Sequence, residues 1–329
     1  MFDAALDYLR AYFLDVGSTL LFMPVDVGEK FYLIHIGTFI ALAYLSFRKY
    51  YRHRTKRGFW RFVFPKEIYN HKSAKVDYGI FLINVLLSPL LFAGAALQAW
   101  ISTQVGGGLI DLNGGQAIVT GDWGWWTYAL FILGFTLAAD LAVYLVHRLH
   151  HQSDFLWPLH ALHHSAEVMT PVTLFRKHPL WNILAKLMHV ILTGLFQGAF
   201  LFVFFGNPGV EVLFGLNSIY VLYNFFGANL RHSHIWLHWG NTLGHVFISP
   251  AMHQIHHDPE RMNKNYGEVF AIWDWLFGTL YVPQEYERFD IGLGKEGNPH
   301  DSLAKAYYVP VLDSAQVLLN KLRVHRQES

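Results

Sequence analysis

Six histidines fall within the 22 residues from Tyr144 to Ser165: His147, His150, His151, His160, His163 and His164. A third group further along, His253, His256 and His257, repeats the spacing of His160, His163 and His164. Histidine is the commonest metal ligand, and it binds as the neutral ring. At 3.6 residues per turn, a helix puts Asp140, Tyr144, His147 and His151 on one face. His147 and His151 can then grip one metal together. Asp140, behind them with Tyr144, can accept the second ring N–H of a ligand and fix its tautomer. His150 points elsewhere. Adjacent histidines on a helix diverge by roughly 100°, so His163/His164 and His256/His257 can each serve two ions. Eight imidazoles from three segments exceed the places around one ion, so the spacing predicts a dinuclear centre with open positions.

The metal is less constrained than the count. Imidazole suits zinc, copper, iron and nickel alike. A structural zinc closes at four ligands, and the HExxH pattern of zinc proteases is absent. Haem held by two histidines does not call for triplets. His35, His53, His71, His189, His300 and His325 stand alone and read as surface or satisfied core residues.

Positioning these groups falls to a chain of 329 residues that is 53% hydrophobic and only 15% charged, far from the roughly 25% charged of soluble domains. That balance points to a membrane. With no cysteine, disulfides, thiolate metal sites, iron–sulfur clusters and a cysteine nucleophile are excluded. The N-terminus lacks the basic-then-apolar pattern of a cleaved signal. Phe31–Phe47, Val76–Trp100 and Trp125–Val146 are each long enough to cross a hydrocarbon core, which takes about 20 helical residues. Leu180–Gly227, broken at Phe205–Gly209, reads as a further helical hairpin that crosses or re-enters. The expected fold is thus an all-α integral membrane bundle of four to five spanning or re-entrant helices with a histidine-rich helical cap. Arg48–Lys75 holds ten Lys or Arg against the single acid Glu67, while Ile101–Gly124 holds two Asp and no base. The positive-inside rule therefore puts 48–75 in the cytoplasm, and following the helices brings every histidine cluster to that face.

The strings DLAVYLVHRLHH, LHALHHS, PVTLFRKHPLWN, PAMHQIHHDPE and NKNYGEVFAIWDWLFGTLY resemble, in order, the fatty acid hydroxylase superfamily of sterol desaturases and alkylglycerol monooxygenase. The likeness covers about residues 75–285. It implies a non-haem di-iron site, with zinc able to substitute, on His147 and His151, on His160, His163 and His164, and on His253, His256 and His257. A ninth ligand is expected at His232, with His234 and Asn229 as alternatives, and His178 is expected near the metals. Asn265 is a candidate hydrogen-bonding partner of a ligand, and Asp274 an orienting group or a loop tie. The resemblance further implies that O2 and external electrons hydroxylate or desaturate a membrane lipid: a sterol, a fatty acyl group or an ether lipid.

No flavin, nicotinamide or fused cytochrome motif is present, so a separate cytochrome, ferredoxin with reductase, or pterin is the expected electron donor; no nucleic-acid partner is expected. Trp157, Phe175, Trp181, Trp236 and Phe247 flank the ligand motifs and could line a lipid groove or form an interfacial belt. Three parts follow: an N-terminal segment with the first span and basic loop (1–74), a catalytic domain (75–285) and a tail (286–329). In that tail Leu312, Ala315, Leu318, Leu319 and Leu322 recur at helical spacing. The competing readings are a zinc-dependent membrane hydrolase and a non-enzymatic metal- or haem-binding membrane protein. A transporter would put ionisable ligands near mid-bilayer, which the placement at helix ends does not match.

Overall fold

Long apolar runs without internal breakers form the helices that set the architecture. The computed structural model describes residues 2–22, 33–87, 94–206, 218–219, 222–225 and 227–328. In chain order come α1 (Phe2–Phe22), α2 (Leu33–Ser46), α3 (Phe59–Val63), α4 (Lys66–Tyr69), α5 (Lys72–Leu87), α6 (Gly94–Leu112), α7 (Trp125–Gln152), α8 (Trp157–His164) and α9 (Pro179–Val203). After α9 the chain forms α10 (Gly240–Gly244), α11 (Pro250–His256), α12 (Ile272–Leu276) and α13 (Leu303–Glu328). Two two-residue strands, β1 (Val119–Thr120) and β2 (Phe204–Phe205), pair in parallel.

Helices α7 and α9 are long and apolar enough to cross a membrane, and only 28% and 22% of their most apolar windows are buried within the protein. A soluble core helix would be mostly covered, so these apolar surfaces need another apolar medium: this is a membrane protein. At 28 residues, α7 is about 42 Å long, beyond the roughly 30 Å of a hydrocarbon core. Its last turns carry His147 and His151.

Helix α6 packs along α9 in the same direction, since Gly94 lies against Lys186 while Gly106 meets Gly198. The approach is close because Gly194 and Gly198, four apart, lie on the contact face. A Cβ on Gly198 would meet the Ser102 carbonyl oxygen at 2.7 Å and Val105 at 2.8 Å, so this small-xxx-small contact admits glycine there. Helix α7 runs against α9 in the opposite sense, with Phe131, Phe200 and Trp123 forming an aromatic cluster at the end remote from the histidines.

The expected span at Val76–Trp100 is described in two parts. Residues 88–93 of that stretch lie outside the described residues; α5 is described to Leu87 and α6 from Gly94 to Leu112, so much of the expected outer loop is helical. Gly106 to Gly108 carry little apolar signal, and tertiary packing on α9 overrides it. The α5 helix instead packs beside the histidine segments, where Val76 and Ile80 join Leu162 and Ala306. Phe31 and Tyr32 of the first expected span, and most of the second arm of the 180–227 hairpin, lie outside the described residues. The C-terminal helix α13 docks through Ala306, Pro310 and Ser314, leaving Leu312, Leu318, Leu319 and Leu322 exposed.

Candidate metal centre

Four segments converge where α7 ends. The turn Ser153–Leu156 reverses the chain into α8, whose Pro158 suits a first helical turn, where the missing N–H costs no bond. Helix α11 is capped by Ser249, whose hydroxyl accepts from the Met252 amide. The irregular segment around Ala228–Leu230 delivers His232 between them.

Nine imidazoles divide into two groups. His147, His151, His160, His164 and His256 form one, His163, His232, His253 and His257 the other, and within each the nearest ring nitrogens all lie within 4.8 Å of one another. The adjacent pairs split as the helical spacing predicts. His163 and His164, their ring planes 90° apart, face different clusters, as do His256 and His257, 82° apart. The i, i+4 pairs stay together: 147/151 and 160/164 in the first cluster, 253/257 in the second.

Spacing within the clusters suits a shared cation. Nε2–Nε2 distances are 3.1 Å for His163–His232, 3.0 Å for His232–His253 and 3.3 Å for His253–His257; His160 and His164 stand at 3.2 Å. A ring nitrogen carries either one proton or one lone pair. Three successive contacts through four such nitrogens therefore cannot all be hydrogen bonds, whereas four lone pairs can share one cation. With metal–nitrogen bonds of about 2.1 Å, neighbouring ligands sit roughly 3.0–3.4 Å apart.

The far ring nitrogens are held selectively. His147 Nδ1 donates to the Tyr266 carbonyl and His256 Nδ1 to the Lys264 carbonyl, both at 2.8 Å. This fixes the tautomer and leaves each Nε2 lone pair facing the cluster. Nε2 of His147 and of His256 is buried without another partner. Burial, above all, pushes the imidazoles of His160, His163, His164, His232, His253 and His257 well below the usual histidine range. Burial brings His256 to about 4. The rings are neutral at physiological pH, the form that ligates.

Other candidates stand elsewhere. Asp140 accepts from the amides of Val269 and Phe270 and from the Trp273 indole, not from an imidazole. Tyr144 pairs with Thr279 and Arg148. Asn265, in left-handed backbone at φ 58°, bonds Met252 and Tyr281 main chain. His178 caps α9, accepting from the Leu180 amide through Nδ1 and donating to the Tyr307 carbonyl through Nε2. His234 donates to the Phe62 carbonyl, and His150 to the Val146 carbonyl. Each of these polar groups sits near the clusters in sequence, but a partner nearer in space takes it. Asp274 ties the loop that presents Tyr266, accepting from the Tyr266 and Gly267 amides and the Thr279 hydroxyl.

Sequence reading missed the supports. Arg176, wholly buried, bonds Asp77 at 2.7 Å, the Leu162 carbonyl, Ser165 and the His300 carbonyl. It locks the end of α8, which feeds both clusters. Their only signal was an acid and a base inside apolar stretches. Of the flanking aromatics, Trp181 lines a small cavity beside His160 and His163. Phe247 lines an apolar cavity of about 510 Å³ with Leu222, Tyr223, Leu243 and Phe270. Trp157 packs on His151 and His164, Phe175 on Phe81, and Trp236 is core.

Two clusters of imidazoles, each able to hold a metal ion, stand at the end of an apolar helix. Residues 132–279 match the family described as fatty acid hydroxylase, the superfamily that the histidine motifs resemble. It is 32% identical over 170 residues to an alkylglycerol monooxygenase of Caenorhabditis elegans, covering 50% of this chain and 28% of that protein. An ornithine lipid hydroxylase, OlsE, of Rhizobium tropici is 31% identical over 51% of this chain and 47% of its own length. A Delta(7)-sterol 5(6)-desaturase of Eremothecium gossypii is 27% identical over 71% and 60%, respectively. The chain thus spans between about a quarter and three fifths of these curated relatives. No solved structure matches it.

Proposed function

We propose that the protein is a membrane-bound non-haem di-iron oxygenase that uses O2 and external electrons to hydroxylate or desaturate a lipid. The observation that carries this reading is the division of nine imidazoles, eight buried and His151 half-buried, into sets of five and four. In this reading His147, His151, His160, His164 and His256 hold one iron, and His163, His232, His253 and His257 the other. Such a pair of irons, when bound, supplies O2 activation and oxidation of an unactivated C–H bond. The chain's own residues do the rest. The Tyr266 and Lys264 carbonyls hold His147 and His256 in one tautomer, and Arg176 holds the turn that carries His163 and His164. Burial of the clusters excludes bulk water, and the cavity beside them, bordered by Val143 and Trp181, receives the reacting carbon.

Lipid is the substrate class because the relatives' names share it (alkylglycerol, ornithine lipid, sterol) and because apolar helices surround the site. Hydroxylation and desaturation diverge only at the loss of a second hydrogen. We place the centre at the cytoplasmic face of a multi-pass bundle, on the ten bases of Arg48–Lys75 and the direction of α7. Residues 75–285 are read as the catalytic domain, and a separate cytochrome, ferredoxin with reductase, or pterin as the electron donor. The test is elemental analysis with comparative lipid mass spectrometry. Two irons per chain, and a lipid that gains one oxygen or loses two hydrogens only when His163 is intact, are expected. One zinc per chain with oxygen-independent activity would replace this reading with a hydrolase.

A further inference from the structure

We propose, resting on the oxygenase reading, that Lys177 recognises an anionic oxygen in the head of the lipid substrate, so that oxidation falls within a few bonds of that head. The cavity next to the clusters is bordered by His163, His232, Trp181, Lys177, Arg231 and Glu268. A site meant for the middle of a hydrocarbon chain would present apolar walls to the metals. This one presents two cations and one carboxylate.

The cations differ in how they are satisfied. Arg231 donates to the Glu268 carbonyl at 2.6 Å and lies over the Tyr223 ring. Lys177 rests its ammonium on the face of Trp181, 4.4 Å from the ring centroid, and that ammonium makes no hydrogen bond or ion pair with any described residue. An ammonium has three donors and no acceptor, and leaving them unmade away from bulk water is costly. Glu268 borders the same cavity and acts through space on Lys177 and on Arg231, and Asp140 acts on Arg231 as well, but neither carboxylate hydrogen-bonds the Lys177 ammonium. A carboxylate or phosphate oxygen on an amphiphile supplies the missing acceptors. Its alkyl part then finds Trp181, Leu174 and Val143 on the same wall. Because Lys177 borders the same small cavity as His163 and His232, an anion bound to its ammonium holds the adjoining carbons close to the clusters.

The test measures binding to the full chain, purified with its iron in detergent. The probes are the fluorescent acyl chain cis-parinaric acid and its uncharged methyl ester. The acid is expected to bind the wild type about ten-fold more tightly than the ester, as one charge-assisted hydrogen bond provides. That preference should fall to near one in Lys177→Gln and persist in Lys177→Arg. Equal binding of acid and ester by the wild type, or an unchanged preference in Lys177→Gln, would overturn the assignment; the wild-type comparison needs no variant to fold. Displacement of the acid by inorganic phosphate alone would assign the ammonium to a free anion and overturn the lipid assignment. Iron content and O2 uptake of the same preparations judge the oxygenase reading separately, so either can fail alone.

Discussion

In the five-imidazole cluster two rings are tied from behind by main-chain carbonyls, His147 by Tyr266 and His256 by Lys264. Its other three rings, His151, His160 and His164, have Nδ1 atoms buried without a partner among the described residues. The same holds for His163, His253 and His257 of the four-imidazole cluster, in which no described residue makes a main-chain tie of this kind. One member, His232, comes from an irregular segment rather than a helix. Similar ring spacing is thus reached in two ways, by preset orientation in the first cluster and by convergence in the second. Outer hydrogen bonds of this kind typically change metal affinity by 10- to 100-fold. The two positions are therefore expected to differ in grip although both are built from imidazole.

The comparison can be broken most severely at a ligand. His164→Ala should lower iron from two per chain to one or fewer and O2-dependent turnover by more than about 100-fold, read by elemental analysis and O2 uptake. A variant that keeps two irons and full turnover would remove His164 from the first cluster. Arg176→Met should disturb both clusters alike, because it frees the end of α8 and leaves Asp77 buried and unpaired. The expected cost is about 3–5 kcal/mol, measured as lost thermal stability. Asp77→Asn in the same chain should recover part of it.

Acid should act in a defined window. Burial, then Arg176, brings His300 down to about 4, against an ordinary value of about 6.5. A folded-state value below the unfolded one means that the unfolded chain binds more protons between them. Stability is then fully present above about pH 6.5 and is lost as pH falls toward 4. The loss is on the order of 3 kcal/mol. Because the cluster histidines are lowered in the same direction, it is read as the difference between melts of the metal-free wild type and His300→Asn across that range. His300→Asn should flatten part of the slope.

Graded chelation sharpens the asymmetry itself. The four-imidazole cluster should empty first, with an affinity about 10- to 100-fold weaker, seen as a one-iron plateau before full loss; simultaneous loss would make the carbonyl ties irrelevant to metal binding. The smallest effect belongs to a histidine that lies near the clusters in sequence only. His178→Ala should leave iron content unchanged and cost about 1 kcal/mol through the lost cap of α9.

Much of this centre was legible in the spacing. Histidines four apart must share a helix face, and adjacent ones must diverge, because 3.6 residues make a turn. Those relations hold before any tertiary contact forms, so two clusters fed by split pairs followed from order alone, as did the apolar helix that carries the first motif. The choice of polar partners did not follow. Asp140, His178 and His234 have the right chemistry and the right neighbours in sequence. Yet each is taken by a backbone group from a distant segment, and the position of such a group depends on the whole fold. The same holds for α5 and α6. Neither the seat of α5 beside α8 nor the run of α6 past Trp100 alongside the glycines of α9 followed from the apolar signal. Local geometry along the chain is set by covalent spacing, whereas the partner of a buried donor is set by whatever packing brings within about 3 Å, and that is decided in three dimensions.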